Sequence, residues 1–393
     1  MTQLNITLDT DKLKEGILSS NLNEMMKVCL VAILNAYMEA ERDAFIQAGS
    51  YERKVSRRDY RNGYYEREYI TNIGSVRLKV PRTRSGEFDT EVFERYQRMD
   101  QALVLSMMEM VINGVSTRKV THIVEELCGD IPSSKSMVSN IMKRLDPEIQ
   151  SFKERSLSHS RFDYLYVDAM YIKVREDQRI VSKAVYVAQG INEDRRREII
   201  GFMVSGAESE ASWSALFNQM KERGLSTPKL IISDAHAGLK SAIQKCFLGA
   251  SWQRCIAHFV RNIIAVMPRK KGKEYRQKIS HMLRVTTQEE ARQLKQALEA
   301  EIGEDKAYLK ALDILDKGFE DAIQYMSEKP AYHTSLRSTN NLERLNRELR
   351  RRDKVIGIYP NTASAERLMG AVLMDIHESY QTNRMRFLRE SKD

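Results

Sequence analysis

Cysteine is scarce in this 393-residue sequence, which contains only Cys29, Cys128, Cys246 and Cys255. The four lie far apart along the chain and include no CxxC pair. This spacing argues against the dense disulfide framework of a small secreted domain. We therefore expect the chain to fold in a reducing, intracellular compartment.

Long apolar runs are also absent. No uninterrupted stretch approaches the ~20 residues that a membrane-spanning helix needs. The segment MTQLNITLDTDKLKEG lacks the basic region and apolar stretch of a secretory signal. No segment is of low complexity, and a hydrophobic content of 42% is enough for packed cores. These absences predict a soluble cytoplasmic protein with no membrane partner.

A moderate excess of positive charge is present, with 63 Lys and Arg against 54 Asp and Glu, for a net charge of +9. Residues 51–84 hold ten Lys or Arg and only four acids, with tyrosines among them. The part YEREYITNIGSVRLKV has the alternation and Gly-containing turn of a β-hairpin. Arginine can pair with phosphate while an aromatic ring packs on sugar or base. The segment is therefore either a DNA-binding hairpin or a solvated basic one. Its candidate DNA contacts are Arg57, Arg58, Arg61 and Arg67.

Helical periodicity precedes and follows this hairpin. Residues 10–50 read as helix with a broad apolar stripe, which suits packing against another helix, either of this chain or of a second subunit in a homodimer. Residues 101–146 read as three short helices, the last two joined by a short Gly-containing turn. That pattern fits a helix-turn-helix, although bundles that bind nothing share it. The candidate DNA contacts here are Arg118, Lys119, Ser133, Ser134 and Lys135.

From residue 160 the pattern changes to strands. Three consecutive strands are followed by alternating helix and strand up to about residue 260, which predicts a mixed α/β sheet. Residues 266–335 read as charged and helical. A capped helix and a closing helix follow them.

One strand of this sheet contains an unexpected charge. The apolar run YLYVDAMYIKV, residues 164–174, has Asp168 near its centre. Burying a carboxylate is costly unless a partner or a metal compensates it. Asp168 is therefore either a paired core residue or a metal ligand.

Two further acids stand out by position. Asp234 lies where a buried strand ends and a helix begins, a usual place for functional groups in α/β sheets. It is equally suited to cap that helix. Glu343 lies in the first turn of a helix, where Asn340 and Glu343 together resemble a capping box. With Asp168, these acids can converge on a pair of Mg²⁺ ions, which prefer hard oxygen ligands and support phosphodiester cleavage.

Several motifs in order resemble the bacterial Mutator-type transposases of insertion sequences. They are YVDAMYIKV, IISDAHAGL, WQRCIAHFVRNI and STNNLERLNRELRRRDKVIGIYP, preceded by RNGYYEREYITNIGSVRLKVPRTRSGEF. The resemblance implies an α/β, ribonuclease-H-like mixed-sheet core with an all-α insertion. It assigns a DDE triad to Asp168, Asp234 and Glu343, which would hold Mg²⁺, with Mn²⁺ as an alternative. It also implies cleavage and strand transfer of double-stranded DNA at terminal inverted repeats and at a target, through a circular intermediate.

The expected organisation follows from this resemblance and the patterns above. It consists of a helical dimerisation region at 1–50, a basic hairpin at 51–98, a helix-turn-helix-like domain at 99–150, the first part of the catalytic core at 160–260, a helical insertion at 261–335 and the last part of the core at 336–393. The protein is expected to associate with the nucleoid when bound to DNA.

Two other features lie near the candidate site. Cys255 and His258 form a C-x-x-H pair, which is half of a zinc ligand set and is better interpreted as structural or adjacent to DNA. Basic residues follow Glu343 directly and are either a solvated face or phosphate contacts. They are Arg347, Arg350 and Arg351. A DNA-binding repressor and a covalent tyrosine recombinase remain alternatives to the transposase.

Overall fold

The computed structural model describes residues 6–18, 22–49, 51–93, 99–128, 135–303, 305–383 and 386–389. The chain divides into two compact units, Met1–Arg144 and Leu145–Asp393. The finer division into six segments stays a prediction. Among the described residues, no helix is both long enough and apolar enough to cross a membrane.

The first unit combines helices with a β-hairpin. Its elements are α1 (Thr10–Leu18), α2 (Leu22–Ile46), β1 (Arg61–Thr71), β2 (Gly74–Thr83), α3 (Gln101–Ile112), α4 (Thr117–Cys128) and α5 (Lys135–Met142). The predicted hairpin is present, with β1 and β2 antiparallel from Thr71↔Gly74 outward. Alternate residues of β2 are buried against Met38 of α2 and Phe93, because successive strand side chains point to opposite faces.

The second unit is built on a five-stranded mixed sheet. Its strands are β3 (Tyr164–Glu176), β4 (Arg179–Ile191), β5 (Arg197–Ser205), β6 (Leu230–Ser233) and β7 (Ser251–Arg254), in the order β5-β4-β3-β6-β7. The first three pair antiparallel, whereas β6 and β7 run parallel to β3. The predicted mixed α/β sheet is confirmed.

Ten α-helices of this unit fall in the described residues. They are α6 (Asp146–Glu154), α7 (Glu210–Glu222), α8 (Ala237–Cys246), α9 (Ile256–Ala265), α10 (Arg269–Met282), α11 (Gln288–Ile302), α12 (Leu309–Ala322), α13 (His333–Leu336), α14 (Asn340–Ile356) and α15 (Thr362–Thr382). Helices α7 and α8 cover one face of the sheet, where Trp213 and Phe217 are fully buried beside Leu165 and Val167 of β3. The other face contacts α14 and α15.

Candidate active site

Asp168 projects from the middle of β3 toward α14. Leu165, Val167 and Ala169 belong to the core on the opposite face of the sheet. Strand alternation therefore turns Asp168 away from that core. Its Oδ1 accepts a hydrogen bond from the backbone amide of Ala169 at 2.9 Å, and its Oδ2 accepts one from Asn346 Nδ2 at 2.7 Å. Burial, and secondly the charge of Asp234, raises the pKa of Asp168 to about 7.

Asp234 follows directly after β6 and is level with Asp168. The parallel register pairs Tyr166 with Ile232, so two residues further along each strand Asp168 and Asp234 are neighbours on the same face. The alternative that Asp234 caps α8 is wrong, because that helix starts at Ala237 and its N-cap residue is His236. Two carboxylates thus meet where β6 ends.

Glu343 comes from α14, which packs on β3. The capping box proposed from the sequence does not form. The helix starts at Asn340, and its N-cap residue is Thr339, which makes no side-chain cap hydrogen bond. Glu343 is therefore free of a capping role and is half-buried beside His258, whose Nε2 lies 3.6 Å from Glu343 Oε1.

His258, in the first turn of α9, links two of the three acids. Its Nδ1 lies 2.6 Å from Asp234 Oδ1, and its other ring nitrogen faces Glu343. The contact with Asp234, followed by that with Cys255, raises the pKa of His258 to about 10. The imidazole is therefore a cation between two carboxylates at neutral pH.

Cys255 lies directly before α9 and is fully buried. Its Sγ accepts hydrogen bonds from the amide of Thr339 at 3.4 Å and from Thr339 Oγ1 at 3.3 Å. Although burial acts to raise it, the pKa of the Cys255 thiol is lowered by its contact with His258 and by the hydrogen bonds from Thr339. One ligand atom each of Asp234, Cys255 and His258 lies within 4.8 Å of the others. The predicted pair of Cys255 and His258 thus forms a group of three with Asp234. Through Cys255, this group also contacts Thr339, the residue before α14.

The donor chemistry of this region fits a divalent cation. Asp168, Asp234 and Glu343 supply the hard carboxylate oxygens that Mg²⁺ prefers. Asp234 Oδ1 and His258 Nδ1 are buried and close, yet their geometry is not that of a hydrogen bond. A bound cation would give Asp234 Oδ1 a partner in place of this ion pair, so the arrangement fits a cation site. Cys255 and His258 are softer donors, which suit zinc better than magnesium.

Sequence reasoning missed three residues around the site. Thr339 and Asn346 contact Cys255 and Asp168 as described above. Glu208 accepts a hydrogen bond from the indole of Trp213 at 2.9 Å, and its charge adds to the raised pKa of Asp168. Nothing in the sequence around Glu208 marks it, whereas a polar residue inside the leucine stripe of α14 could have identified Asn346.

The whole chain matches known proteins. A family model described as "Transposase, Mutator family" matches residues 1–383. The chain belongs to the Mutator family of transposases. It is 46% identical over 392 residues to the transposase for insertion sequence element IS256 in transposon Tn4001 from Staphylococcus aureus, covering 100% of both chains.

Two further relatives extend this match. The transposase for insertion sequence element ISRM5 from Rhizobium meliloti is 42% identical, covering 96% of this chain and 95% of its own. The transposase for insertion sequence element IS1081 from Mycobacterium tuberculosis is 34% identical, covering 95% and 89% respectively. The resemblance that the motifs suggested is confirmed.

Basic residues of this Mutator family transposase continue the face of α14 that presents Glu343. Arg347 and Arg350 follow Glu343 by four and seven residues, which places them on its side of the helix, and both are exposed. Arg351 is also exposed, and its Nη1 lies 3.7 Å from Glu348 Oε2. Exposed guanidinium groups beside the acids suit contacts with phosphate.

The basic residues predicted in and before the hairpin differ in their availability. Arg58 is exposed. The guanidinium carbon of Arg57 lies 5.1 Å from the ring centre of Tyr60, and that of Arg67 lies 4.3 Å from the ring centre of Phe93. Arg61 forms an ion pair with Asp43 of α2 at 2.8 Å and donates to the backbone carbonyls of Ala48 and Gly49, which follow that helix. Arg61 therefore holds the hairpin to α2, and its role in DNA contact stays a prediction.

The predicted contacts of the helix-turn-helix region lie at two helix starts. Arg118 and Lys119 are exposed in the first turn of α4, and Lys135 is exposed at the first residue of α5. Ser133 and Ser134 lie outside the described residues. Three short helices are present, and their role as a DNA reader stays a prediction.

Proposed function

We propose that this transposase is a DDE enzyme with a ribonuclease-H-like core, whose triad is Asp168, Asp234 and Glu343. The observation that carries the proposal is the convergence of a strand carboxylate, a strand-end carboxylate and a helix carboxylate. They are joined through Asn346 and His258 although they are far apart in sequence. The relatives named above are transposases for insertion sequence elements, so we infer that the substrate is DNA at the ends of such an element.

The three acids would hold Mg²⁺, with Mn²⁺ as an alternative. Bound ions of this kind supply Lewis-acid activation of an attacking oxygen and stabilisation of a leaving one. Asp168 must lose its proton to bind a cation, because its pKa of about 7 leaves it partly protonated at neutral pH. His258 offsets one of the two negative charges of Asp234 and Glu343 in the metal-free site, and it would have to release Asp234 when a cation takes its place.

The reaction follows from one site that uses two nucleophiles in turn. Water hydrolyses the phosphodiester at the end of the element, which breaks one P–O bond and frees a 3′-OH. That hydroxyl then attacks a second phosphodiester in the same site, where a new P–O bond forms, the existing P–O bond breaks and its oxygen leaves as a new 3′-hydroxyl. A circular intermediate results when the two ends of the element are joined. No covalent bond between protein and DNA is required.

Exposed arginines would position the DNA for this chemistry. Arg347 and Arg350 lie on the face of Glu343 and suit the backbone next to the scissile bond. Helices α4 and α5 would form a helix-turn-helix that reads base edges, with Arg118, Lys119 and Lys135 near the backbone. Acting on chromosomal DNA, the protein would work at the nucleoid in the cytoplasm.

A supercoiled plasmid with the terminal inverted repeats of the element tests the proposal. Incubation with the protein and Mg²⁺ should produce nicks at the repeat ends and joined products, and chelation with EDTA should abolish both. Binding to the repeats without nicking would support a repressor instead. A protein–DNA adduct that survives denaturation would support a covalent recombinase.

Two ends of an element must be handled together, so we propose that the protein acts as a homodimer through α2. One side of this helix packs on the hairpin through Val31, Leu34 and Met38. The other side exposes an apolar stripe at the spacing of a helix–helix seam. Its members and their exposed fractions are Leu22 (65%), Met26 (46%), Ile33 (44%) and Tyr37 (40%).

Oxidative cross-linking at Cys29 measures this interface. Cys29 lies at the midpoint of the stripe and is partly exposed. If two α2 helices pair along this stripe, the two Cys29 residues lie next to each other whether the helices run parallel or antiparallel. We expect mild oxidation to convert most of the protein to a covalent dimer, seen on a non-reducing gel, and Cys29→Ser to abolish it.

The matched control is Cys246→Ser, because Cys246 is buried and its loss should leave cross-linking unchanged. A protein that stays monomeric by light scattering, and does not cross-link at micromolar concentration, would contradict a dimer through α2.

A further inference from the structure

Asn346 interrupts an apolar surface. Helix α14 buries Leu342, Leu345 and Leu349, which are 0–2% exposed, and Asn346 lies among them at 4%. A carboxamide in such a place loses its hydrogen bonds to water, and that loss opposes folding unless protein groups replace them. A leucine at this position would complete the apolar stripe, so the presence of a polar residue indicates a role other than packing.

The hydrogen bonds of Asn346 are incomplete in an informative way. Its Nδ2 donates to Asp168 Oδ2 at 2.7 Å, whereas its Oδ1 is buried without a hydrogen-bond partner among the described residues. Nearly all buried polar atoms in proteins are paired. The side chain is therefore oriented so that its NH2 group donates to Asp168, although this leaves its oxygen without a hydrogen bond.

The result is a carboxylate held at both oxygens. The amide of Ala169 holds Oδ1 at 2.9 Å and Asn346 holds Oδ2, so the carboxylate plane of Asp168 is fixed. Asn346 also lies one turn after Glu343 on the same helix. Its bond to β3 therefore sets the position of α14, and of Glu343, relative to Asp168.

We propose that Asn346 is a positioning residue of the cation site, which orients Asp168 and fastens the helix of Glu343 to β3. The inference rests on the proposed DDE function and adds a fourth side chain to its triad. A set of ligands held in place before binding needs no reordering when the cation arrives. Asn346 thereby increases the affinity of the site for divalent cations without being a ligand itself.

Asn346→Leu separates positioning from packing, because leucine has a similar shape and suits the stripe. The probe is Mn²⁺, with binding to the full-length protein without DNA measured from the electron paramagnetic resonance signal of the free ion. We expect the variant to unfold at the temperature of the wild type or above it, and to bind Mn²⁺ at least tenfold more weakly. Cleavage should fall in parallel and recover partly at high Mn²⁺ concentration.

Leu349→Ala is the matched control, because it loosens the packing of α14 without touching Asp168. It should lower the unfolding temperature and leave the Mn²⁺ affinity within about twofold of the wild type. If Asn346→Leu fails to fold, Asn346→Ala provides the same comparison. Unchanged Mn²⁺ affinity in the Asn346 variants, with a lower unfolding temperature, would show a purely structural role and overturn the inference.

Asp168→Asn distinguishes this failure from failure of the proposed function. If the wild type binds Mn²⁺ and Asp168→Asn does not, the cation site is supported, and a negative result with the Asn346 variants concerns only the role of Asn346. Equal Mn²⁺ binding by the wild type and Asp168→Asn would overturn the cation site, and the inference with it.

Discussion

Replacing Asp168 with asparagine should abolish both nicking and joining, by at least a thousandfold, while binding to the element ends stays within about twofold. Asn keeps the shape of the side chain, and its single carboxamide oxygen can accept the hydrogen bond from either Asn346 or the Ala169 amide, so we expect the fold around β3 to be retained. It removes the negative charge that a cation needs, and removal of groups that act together in a site typically eliminates most of the rate enhancement. Cleavage of supercoiled plasmid and a gel-shift assay measure the two activities separately.

Glu208→Gln is the informative control for this experiment. Glu208 also influences the charge of Asp168, but its carboxylate is occupied by the indole of Trp213. Its conversion to an amide should leave at least a tenth of the cleavage activity. Strand transfer retained by Asp168→Asn would remove Asp168 from the reaction.

The metal-free Asp168→Asn protein should also be more stable than the wild type, by an amount that depends on pH. The pKa of Asp168 rises from 3.8 to about 7 in the folded protein, chiefly through burial and secondly through Asp234. Below pH 3.8 the carboxyl is protonated in both folded and unfolded states, so it causes no penalty. Between pH 3.8 and 7 the unfolded chain ionises while the fold keeps its proton, and the wild type loses stability as pH rises.

Above pH 7 this penalty is constant. A pKa displaced that far corresponds to about 4 kcal/mol at most, or an increase of several degrees in the unfolding temperature. Thermal unfolding of both proteins from pH 4 to pH 8, in EDTA, gives the difference directly. His377, whose pKa is lowered to about 4 mainly by burial, titrates in the same range. It is present in both proteins, so its contribution cancels.

Mg²⁺ provides the complementary measurement. At pH 8 it should raise the unfolding temperature of the wild type and leave Asp168→Asn unchanged, because a ligand stabilises only the state that binds it. Asp313→Asn, which neutralises an exposed carboxylate on α12, controls for the change in net charge. A stability difference between wild type and Asp168→Asn that is the same at every pH would contradict the raised pKa.

The two aspartates of the site could be located from sequence because each breaks a local pattern. Asp168 is a charge inside an apolar strand, and Asp234 stands where such a strand gives way to a helix. Glu343 had no such mark, since its position in a first helical turn is common for glutamate. Only the family resemblance selected it, and the absence of the predicted capping box now removes the competing explanation.

Contacts between distant segments explain what the sequence could not provide. The alignment of Asp168 with Asp234 depends on the register of β3 and β6, which is set by packing on both faces of the sheet rather than by either strand alone. The engagement of Arg61 by Asp43 likewise joins residues that no local pattern relates. In the same way, the contact of Cys255 with Thr339 spans the whole helical segment between β7 and α14.

The position of α14 near the end of the chain governs when the site comes into being during synthesis. A polypeptide that has left the ribosome only as far as α12 contains both aspartates but lacks the glutamate and the asparagine that holds Asp168. Unfinished chains therefore contain Asp168 and Asp234 without Glu343, so the proposed triad can assemble only after α14 has been synthesised.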